Sequence, residues 1–377
     1  MGIKLDIDPA RLKSLRTRLG IPLHAGAKMT GYSEEQLRTW ESESTALDVD
    51  TLQKLAKAYQ RNWYVFLLEE EVGRPATPRD FRRMHGTSDE LGYESLLAFD
   101  KAWLLLGKIE SLNVTDEPFA KQHQAKLSDN PEDVAEAFRD RLGVQGQPAT
   151  PDNYAVLRFW RDLLTSAGVY ISQVKIPTDE VRAFCISRNE AHLVVLSNKD
   201  LPNPRVFSLL HEIGHLLLGS DAMCRPSAAF IGDGMSQEPW CNRFAAAVLM
   251  PQAELEANPK FHELIGGEIV LGSGRSLASD FGVSELALFR RLETFGIISG
   301  HKYRSLQKES EDKWKDRKEK PSTGFMEHHN KIIAKESPLF VRQVLNAHAN
   351  GDLTYREIGT LLNTPLRSIP QIREAVG

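Results

Sequence analysis

The sequence predicts an α+β protein, mostly helical, built from several domains with one small antiparallel sheet. Three observations predict it. The 377 residues are 41% hydrophobic and 26% charged, a globular composition with length for two or three domains. Segments of helical period with start and stop signals fill most of the chain. Strand-like runs rich in β-branched and aromatic residues cluster in one place, "VYISQVKI", "VRAFCIS" and "AHLVVLS", with turn residues between them.

Taken in order, residues 1–72 read as short helices and form an all-α first domain. The Pro/Gly/Thr-containing "VGRPATPRDF" marks a boundary at 72–81. A helical connector, 73–127, carries the apolar stretch "AWLLLGKIESL", read as a packed helix. The next domain spans 128–300. It opens with "NPEDVAEAFRDRLG", where Asn130 and Pro131 start a helix and Gly143 stops it. A second helix, "PDNYAVLRFWRDLLTSAG", precedes the three strands, and helices dominate after "NKDLPNP". Residues 301–324 hold eight Lys/Arg against five Asp/Glu and read as a charged linker or solvated helix. Residues 325–377 form a small helical C-terminal region.

Composition excludes several classes. Net charge is −4, so no overall basic field points to nucleic acid or an anionic membrane. The three cysteines, Cys185, Cys224 and Cys241, form no CxxC pair and no disulfide framework, which fits a reducing cytoplasm. "MGIKLDIDPARL" has no apolar core of a leader, and no apolar run approaches the ~20 residues needed to span a bilayer.

The chemistry concentrates in "SLLHEIGHLLLG", residues 208–219. Positions i and i+4 share a helix face, so His211 and His215 aim their imidazoles at a common spot. Neutral imidazole is a good ligand for zinc, which takes about four ligands. Glu212 stands about 100° round the helix, off the metal but beside a water on it. Such a water has a pKa near 7, and Glu212 can take its proton during attack on a carbonyl. This is the HExxH arrangement of zinc peptidases. A catalytic site needs a third protein ligand. Glu238, in "SQEPWCNRFAAAVLMP", opens a helix that Pro239 starts and Pro251 ends, and a helix N-terminus favours a charged carboxylate. Spacing alone leaves Asp221, Asp233 and Cys224 as rivals. For the oxyanion stabiliser, His301, Tyr303, His192 and Arg205 stay open.

Residues 128–300 resemble the ImmA/IrrE family of zinc peptidases. The stretches that carry the resemblance are "VRAFCIS", "VVLSNKDLPNPRVFSLLHEIGHLLLG", "EPWCNRFAAAVLMP" and "LASDFGVSELALFRRLETFGIIS". The resemblance implies a zincin-like domain with one Zn2+ on His211, His215 and Glu238, and Glu212 as base. It also implies a protein substrate: a helix-turn-helix repressor or antitoxin-like partner cut at one or few sites.

"LHAGAKMTGYSEEQLRTWES", residues 23–42, reads as helix, turn, helix. Ala27 is small where two helices cross, Gly31 sits in the turn, and Leu37 and Trp40 pack the second helix inward. Ser33 with Gln36 makes a capping box. The whole of 8–70 resembles a Cro/C1-type (XRE-like) domain. Residues 1–70 hold ten Lys/Arg and ten Asp/Glu, and Glu34 and Glu35 would face phosphate. Gln36, Arg38 and Thr39 are the candidate base contacts. Residues 277–296 and 354–376 show the same cadence. The first is read as packing, and the second has no assigned role.

The sequence reading is therefore a cytoplasmic zinc metallopeptidase that regulates transcription, without a membrane partner. The alternative is a DNA-binding regulator whose peptidase-like domain only docks or senses a partner. The intact Glu212 counts against the alternative, because a purely structural metal has no use for that base.

Overall fold

The computed structural model describes residues 4–61, 63–67, 91–112, 119, 123–146, 148, 153–223, 237–315 and 327–376. The boundary expected at 72–81 lies outside them.

The first domain holds α1 (Pro9–Thr17), α2 (Leu23–Thr30), α3 (Glu34–Trp40) and α4 (Val49–Ala58), then a 3-10 turn at Trp63–Leu67. It is not all-α: β1 (Lys4–Ile7) pairs antiparallel with β2 (Thr45–Asp48). Each strand has four residues, too few to show a period, and the pairing joins segments far apart in sequence. Leu12, Leu37, Leu52, Leu55 and Tyr59 fill the core, with no more than 1% exposure each. A buried bidentate pair, Arg16 Nε to Glu41 Oε1 at 2.6 Å and Arg16 Nη2 to Glu41 Oε2 at 2.7 Å, ties α1 to the end of α3.

The next helix, α5 (Tyr93–Ser111), joins the two halves of the molecule. Leu97 belongs to the first domain's core. Phe99, Leu106 and Ile109 pack instead on the sheet. At its N-terminus Glu180 accepts from Gly92 N at 2.8 Å and from Ser95 Oγ at 2.7 Å.

The second domain begins with α6 (Pro131–Arg141), capped by Asn130 as its sequence signals, and α7 (Asn153–Ser166). The sheet follows: β3 (Tyr170–Val174), β4 (Ala183–Arg188) and β5 (Ala191–Ser197). It is small, as expected, but antiparallel in only one of its two pairings. The strand order is β3-β5-β4, with β3 parallel to β5 and β4 antiparallel to it. A two-residue turn, with Asn189 at φ 51°, fixes β5 beside β4. The longer link after β3 lets that strand pair with the far edge of β5. Both faces are buried: Ile171, Val194 and Cys185 form one row, and Tyr170, Leu193 and Ile186 the other.

The first row meets α8 (Pro202–Met223), against which α9 (Gln237–Leu249) packs. Short helices α10 (Gln252–Ala257), α11 (Pro259–Gly266), α12 (Arg275–Asp280) and α13 (Glu285–Thr294) complete this layer. In the 277–296 segment, Leu277, Phe281, Leu288, Phe289 and Leu292 are buried in the same core, as a packing role requires. Gly282 turns at φ +61°, and a Cβ there would stand 2.5 Å from a methyl of Val156. Residues 300–315 form α14, the helical form of the charged stretch.

The second sheet face is covered by α5 and by α15 (His328–Glu336), α16 (Pro338–Ala349), α17 (Tyr355–Leu361) and α18 (Ile369–Val376). Edge strand β3 is closed by this region: Ile171 N donates to Ser337 Oγ at 3.0 Å, and Ser172 Oγ donates to Lys335 O. Among the described residues no helix is long and apolar enough to cross a membrane.

Candidate metal centre

Val206, Leu209, Leu210, Ile213, Leu216 and Leu217 give α8 its buried stripes, each at most 2% exposed. His211 and His215 are also almost fully buried, at 0% and 2%. Burying two imidazoles on such a helix is costly without partners. Their partner arrives from α9. The Glu238 carboxylate stands with Oε2 3.2 Å from His211 Nε2 and Oε1 3.2 Å from His215 Nε2. The two Nε2 atoms are 3.1 Å apart. One ligand atom from each residue lies within 4.8 Å of the others. Glu238's side chain keeps 40% of its exposure, so the cluster opens to solvent on the α9 side.

Close approach of the two helices makes this possible. Gly214, between the histidines, faces Cys241 one turn beyond Glu238. Pro239 supports the helix start one residue after the ligand. On the other side of α8, Cys185 Sγ donates to Glu212 O at 3.5 Å and ties the helix to β4. At the far end, Gly219 leaves helical geometry at φ 151° and ends the straight run after Leu218.

The electrostatics fit a cation site. Burial pushes the Glu238 carboxyl up, but hydrogen bonds and charge from His211 and His215 outweigh it and hold its pKa below the ordinary range. Burial pushes the His215 imidazole down, but hydrogen bonds with Cys241 and Glu238, and the charges of Cys241 and Glu212, raise it well above its usual value. A metal replaces those protons, so its binding weakens in acid. Burial also raises the Cys241 thiol.

The donor set, two imidazole nitrogens and one carboxylate oxygen, is the open three-ligand set of a catalytic zinc site. Orphaned polar atoms support the fit. Glu212, 2% exposed, has Oε1 without a hydrogen-bond partner, and so has the hydroxyl of Ser208 one turn earlier. An unmatched buried carboxylate oxygen calls for an explanation, and a catalytic role is one of the few available.

The structure brings together His211, His215 and Glu238, with Glu212 adjacent on the helix. Among the rivals, Cys224 and Asp233 lie outside the described residues, as does the Asp221 side chain. The four oxyanion candidates have other surroundings. Arg205 donates to Asn198 O and Gln173 Oε1, both at 3.0 Å, and clamps the β5–α8 link. His192 pairs with Ser187 Oγ at 2.8 Å, Tyr303 lies under Arg290, and His301 is exposed. Sequence reasoning missed the parts of Gly214 and Cys241, and only their place inside the two motifs signalled them.

In the first domain, Gly31 ends α2 at φ 77°, and Ser33 and Gln36 form the expected capping box. Gln36, Arg38 and Thr39 are all exposed on α3. Gln36 Oε1 accepts from Ser33 N at 2.9 Å, so only its amide donors are free to read a base. Glu34 and Glu35 are exposed in the same first turn.

Comparison with known families agrees with this geometry. Residues 164–293 match the M78 peptidase model, described as the IrrE N-terminal-like domain, and residues 12–66 match a helix-turn-helix model. The first match contains His211, Glu212, His215 and Glu238, and the second contains α2 and α3. No curated protein and no solved structure matches the chain.

Proposed function

We propose that this chain, an ImmA/IrrE-type peptidase domain behind an XRE-type helix-turn-helix domain, is a zinc metallopeptidase of a reducing cytoplasm that regulates transcription by cutting a protein partner. The partner class is a helix-turn-helix repressor or antitoxin-like protein, cleaved at one or a few sites. The observation that carries the reading is the buried convergence of His211, His215 and Glu238 beside a buried, unpartnered Glu212 carboxylate oxygen.

His211, His215 and Glu238 would hold one Zn2+ per chain. When bound, zinc supplies Lewis acidity toward a carbonyl oxygen and makes water acidic enough to attack near neutral pH. Glu212 accepts the proton of the attacking water on its carboxylate. It then delivers that proton to the leaving amine nitrogen, so the carboxylate is restored after each cut. The apolar walls of α8 exclude bulk water, which strengthens each of these charge interactions. The fused first domain supplies selectivity. Arg38, Thr39 and the Gln36 amide are its exposed contacts to DNA, or to the DNA-bound target.

The decisive experiment is co-expression with a helix-turn-helix repressor as candidate partner. Wild type is expected to truncate that protein. Glu212→Gln is expected to keep its zinc and lose cleavage about 10²–10⁴-fold. His211→Ala is expected to lose the metal itself. A Glu212→Gln variant that cuts like wild type would remove the base from this residue, and a wild type that leaves the partner intact would remove the peptidase reading.

A further inference from the structure

Residues 354–376 repeat, position for position, the spacing of the first helix-turn-helix. Thr354 caps α17 through a capping box with Glu357, as Pro22 precedes α2. Gly359 stands where Ala27 stands in the first unit. A Cβ on it would lie 2.6 Å from Leu366, so the two helices of this second unit cross at that point. Four residues after each small residue the chain turns in the left-handed region, at Gly31 (φ 77°) and at Asn363 (φ 47°). Six residues after each turn comes a core anchor, Leu37 or Ile369, both at most 1% exposed. Three residues later come Trp40 and Ile372, and Ile372 is fully buried. The reading-helix position is filled by the 3-10 turn Leu366–Ser368 running into α18.

The outward faces differ. In the first unit the reading helix opens with exposed Glu34 and Glu35. In the second it opens with exposed Leu366 and Arg367, followed by exposed Pro370, Gln371, Arg373 and Glu374. Its first turn carries no carboxylate. Arg356, exposed at the start of α17, sits where the first helix of a docked unit crosses the DNA backbone. The nearby acids are Glu374, Asp352 and Glu357. Glu357 is already engaged, accepting from Thr354 N at 2.7 Å. Core-facing Ile369 and Ile372 anchor the unit to α16 and the sheet face, so the reading helix is presented on a rigid support.

We propose that residues 354–376 form a second helix-turn-helix that docks duplex DNA in the major groove through the face carrying Arg367 and Gln371. Arg367 has the forked donor set for guanine O6 and N7, and Gln371 the donor and acceptor pair for adenine. Leu366 offers an apolar contact to a thymine methyl. Arg356 and Arg373 neutralise phosphates and set the register without reading sequence. The charge pattern favours DNA over a protein partner, because the exposed polar groups are those that read bases and phosphates. The proposal is independent of the peptidase reading.

The test uses the purified full chain and selection from a random-sequence duplex library, followed by anisotropy on the enriched duplex. Wild type is expected to enrich a defined sequence. Arg367→Ala is expected to weaken binding to it about tenfold or more, and Gln371→Ala to relax preference at one base pair. Arg356→Ala is expected to weaken all duplexes alike and lower the salt slope by about one. All three side chains are exposed, and unchanged circular dichroism spectra would show that the variants fold. Retention of no duplex overturns the proposal. So does an enriched duplex whose binding falls with Arg38→Ala and is untouched by Arg367→Ala, and so does capture of a protein through Arg367 without DNA.

Discussion

Gly214 and Cys241 hold their helices at the limit of contact: a Cβ on residue 214 would stand 3.2 Å from the Cα, Cβ and Sγ of Cys241. One of those atoms is backbone, so the helix itself must yield. Because Glu238 lies one turn before Cys241, any outward shift of α9 moves its carboxylate off the two histidines. Gly214→Ala is therefore expected to lower zinc affinity about tenfold while the metal-free protein keeps its stability, since alanine favours a helix by about 1 kcal/mol over glycine. Titration with a competing zinc indicator and thermal melts in chelator would separate the two effects. Equal affinity in the variant would show that α9 position is not limiting.

A metal held by His211, His215 and Glu238 would clip α8 to α9. A ligand at a hundred times its Kd stabilises the folded state by about 2.7 kcal/mol. Adding zinc to the metal-free protein is expected to raise the Tm, and chelation to reverse it. Glu238→Gln is expected to remove most of that gain, because among the described residues Glu238 is the one member of the candidate cluster that α9 contributes. A zinc-dependent rise that survives in the Glu238→Gln protein would place the ion elsewhere.

His192 makes stability depend on pH away from the metal. It is 3% exposed, and burial lowers its pKa to about 4, against some opposition from Glu190. The unfolded chain keeps the ordinary value near 6.5 and so binds more protons below it. Folding stability is then full above about pH 6.5, falls as pH drops toward 4, and levels below that. The loss is on the order of 3 kcal/mol. His192→Gln, which can still pair with Ser187, is expected to flatten this slope in denaturant melts taken across that window. An unchanged slope would assign the acid sensitivity to other groups.

Arg61 and Asp100 form an ion pair buried between the first domain and α5, with side-chain exposures of 8% and 4%. Burial lowers the Arg61 pKa to about 10, which still leaves it charged at neutral pH. Asp100→Ala would strand that charge and is expected to cost about 3–5 kcal/mol. Replacing both partners, Arg61→Met with Asp100→Leu, is expected to recover most of the loss. Chemical denaturation of the three proteins measures both changes, and additive losses in the double variant would show that the pair is not coupled.

Much of the site was legible because its parts are local. The helix carrying His211, Glu212 and His215, the caps at Asn130 and Ser33, and the turn at Gly31 all depend on residues within a turn or two of one another. What escaped were pairings between distant segments. β1 and β2 are four residues each and carry no period of their own. The three strands of the sheet were read correctly as strands, but β3 joins β5 rather than its sequence neighbour β4. The apolar "AWLLLGKIESL" was legible as a packed helix but not as the element shared by the two halves. The helix that carries it, α5, turns Leu97 toward the first domain and Leu106 toward the sheet, and those partners lie on separate segments.

The sequence by itself determined that His211 and His215 share a helix face with Glu212 beside them, because a helix of fixed pitch places i and i+4 together whatever surrounds it. Spacing left Glu238 among several acids and a cysteine. Only the tertiary structure decided its place at the histidines, through the notch at Gly214 that lets α9 lie against α8. A ligand from a second helix is positioned by packing between surfaces, and that contact is written in the shape of both helices rather than in the period of either one.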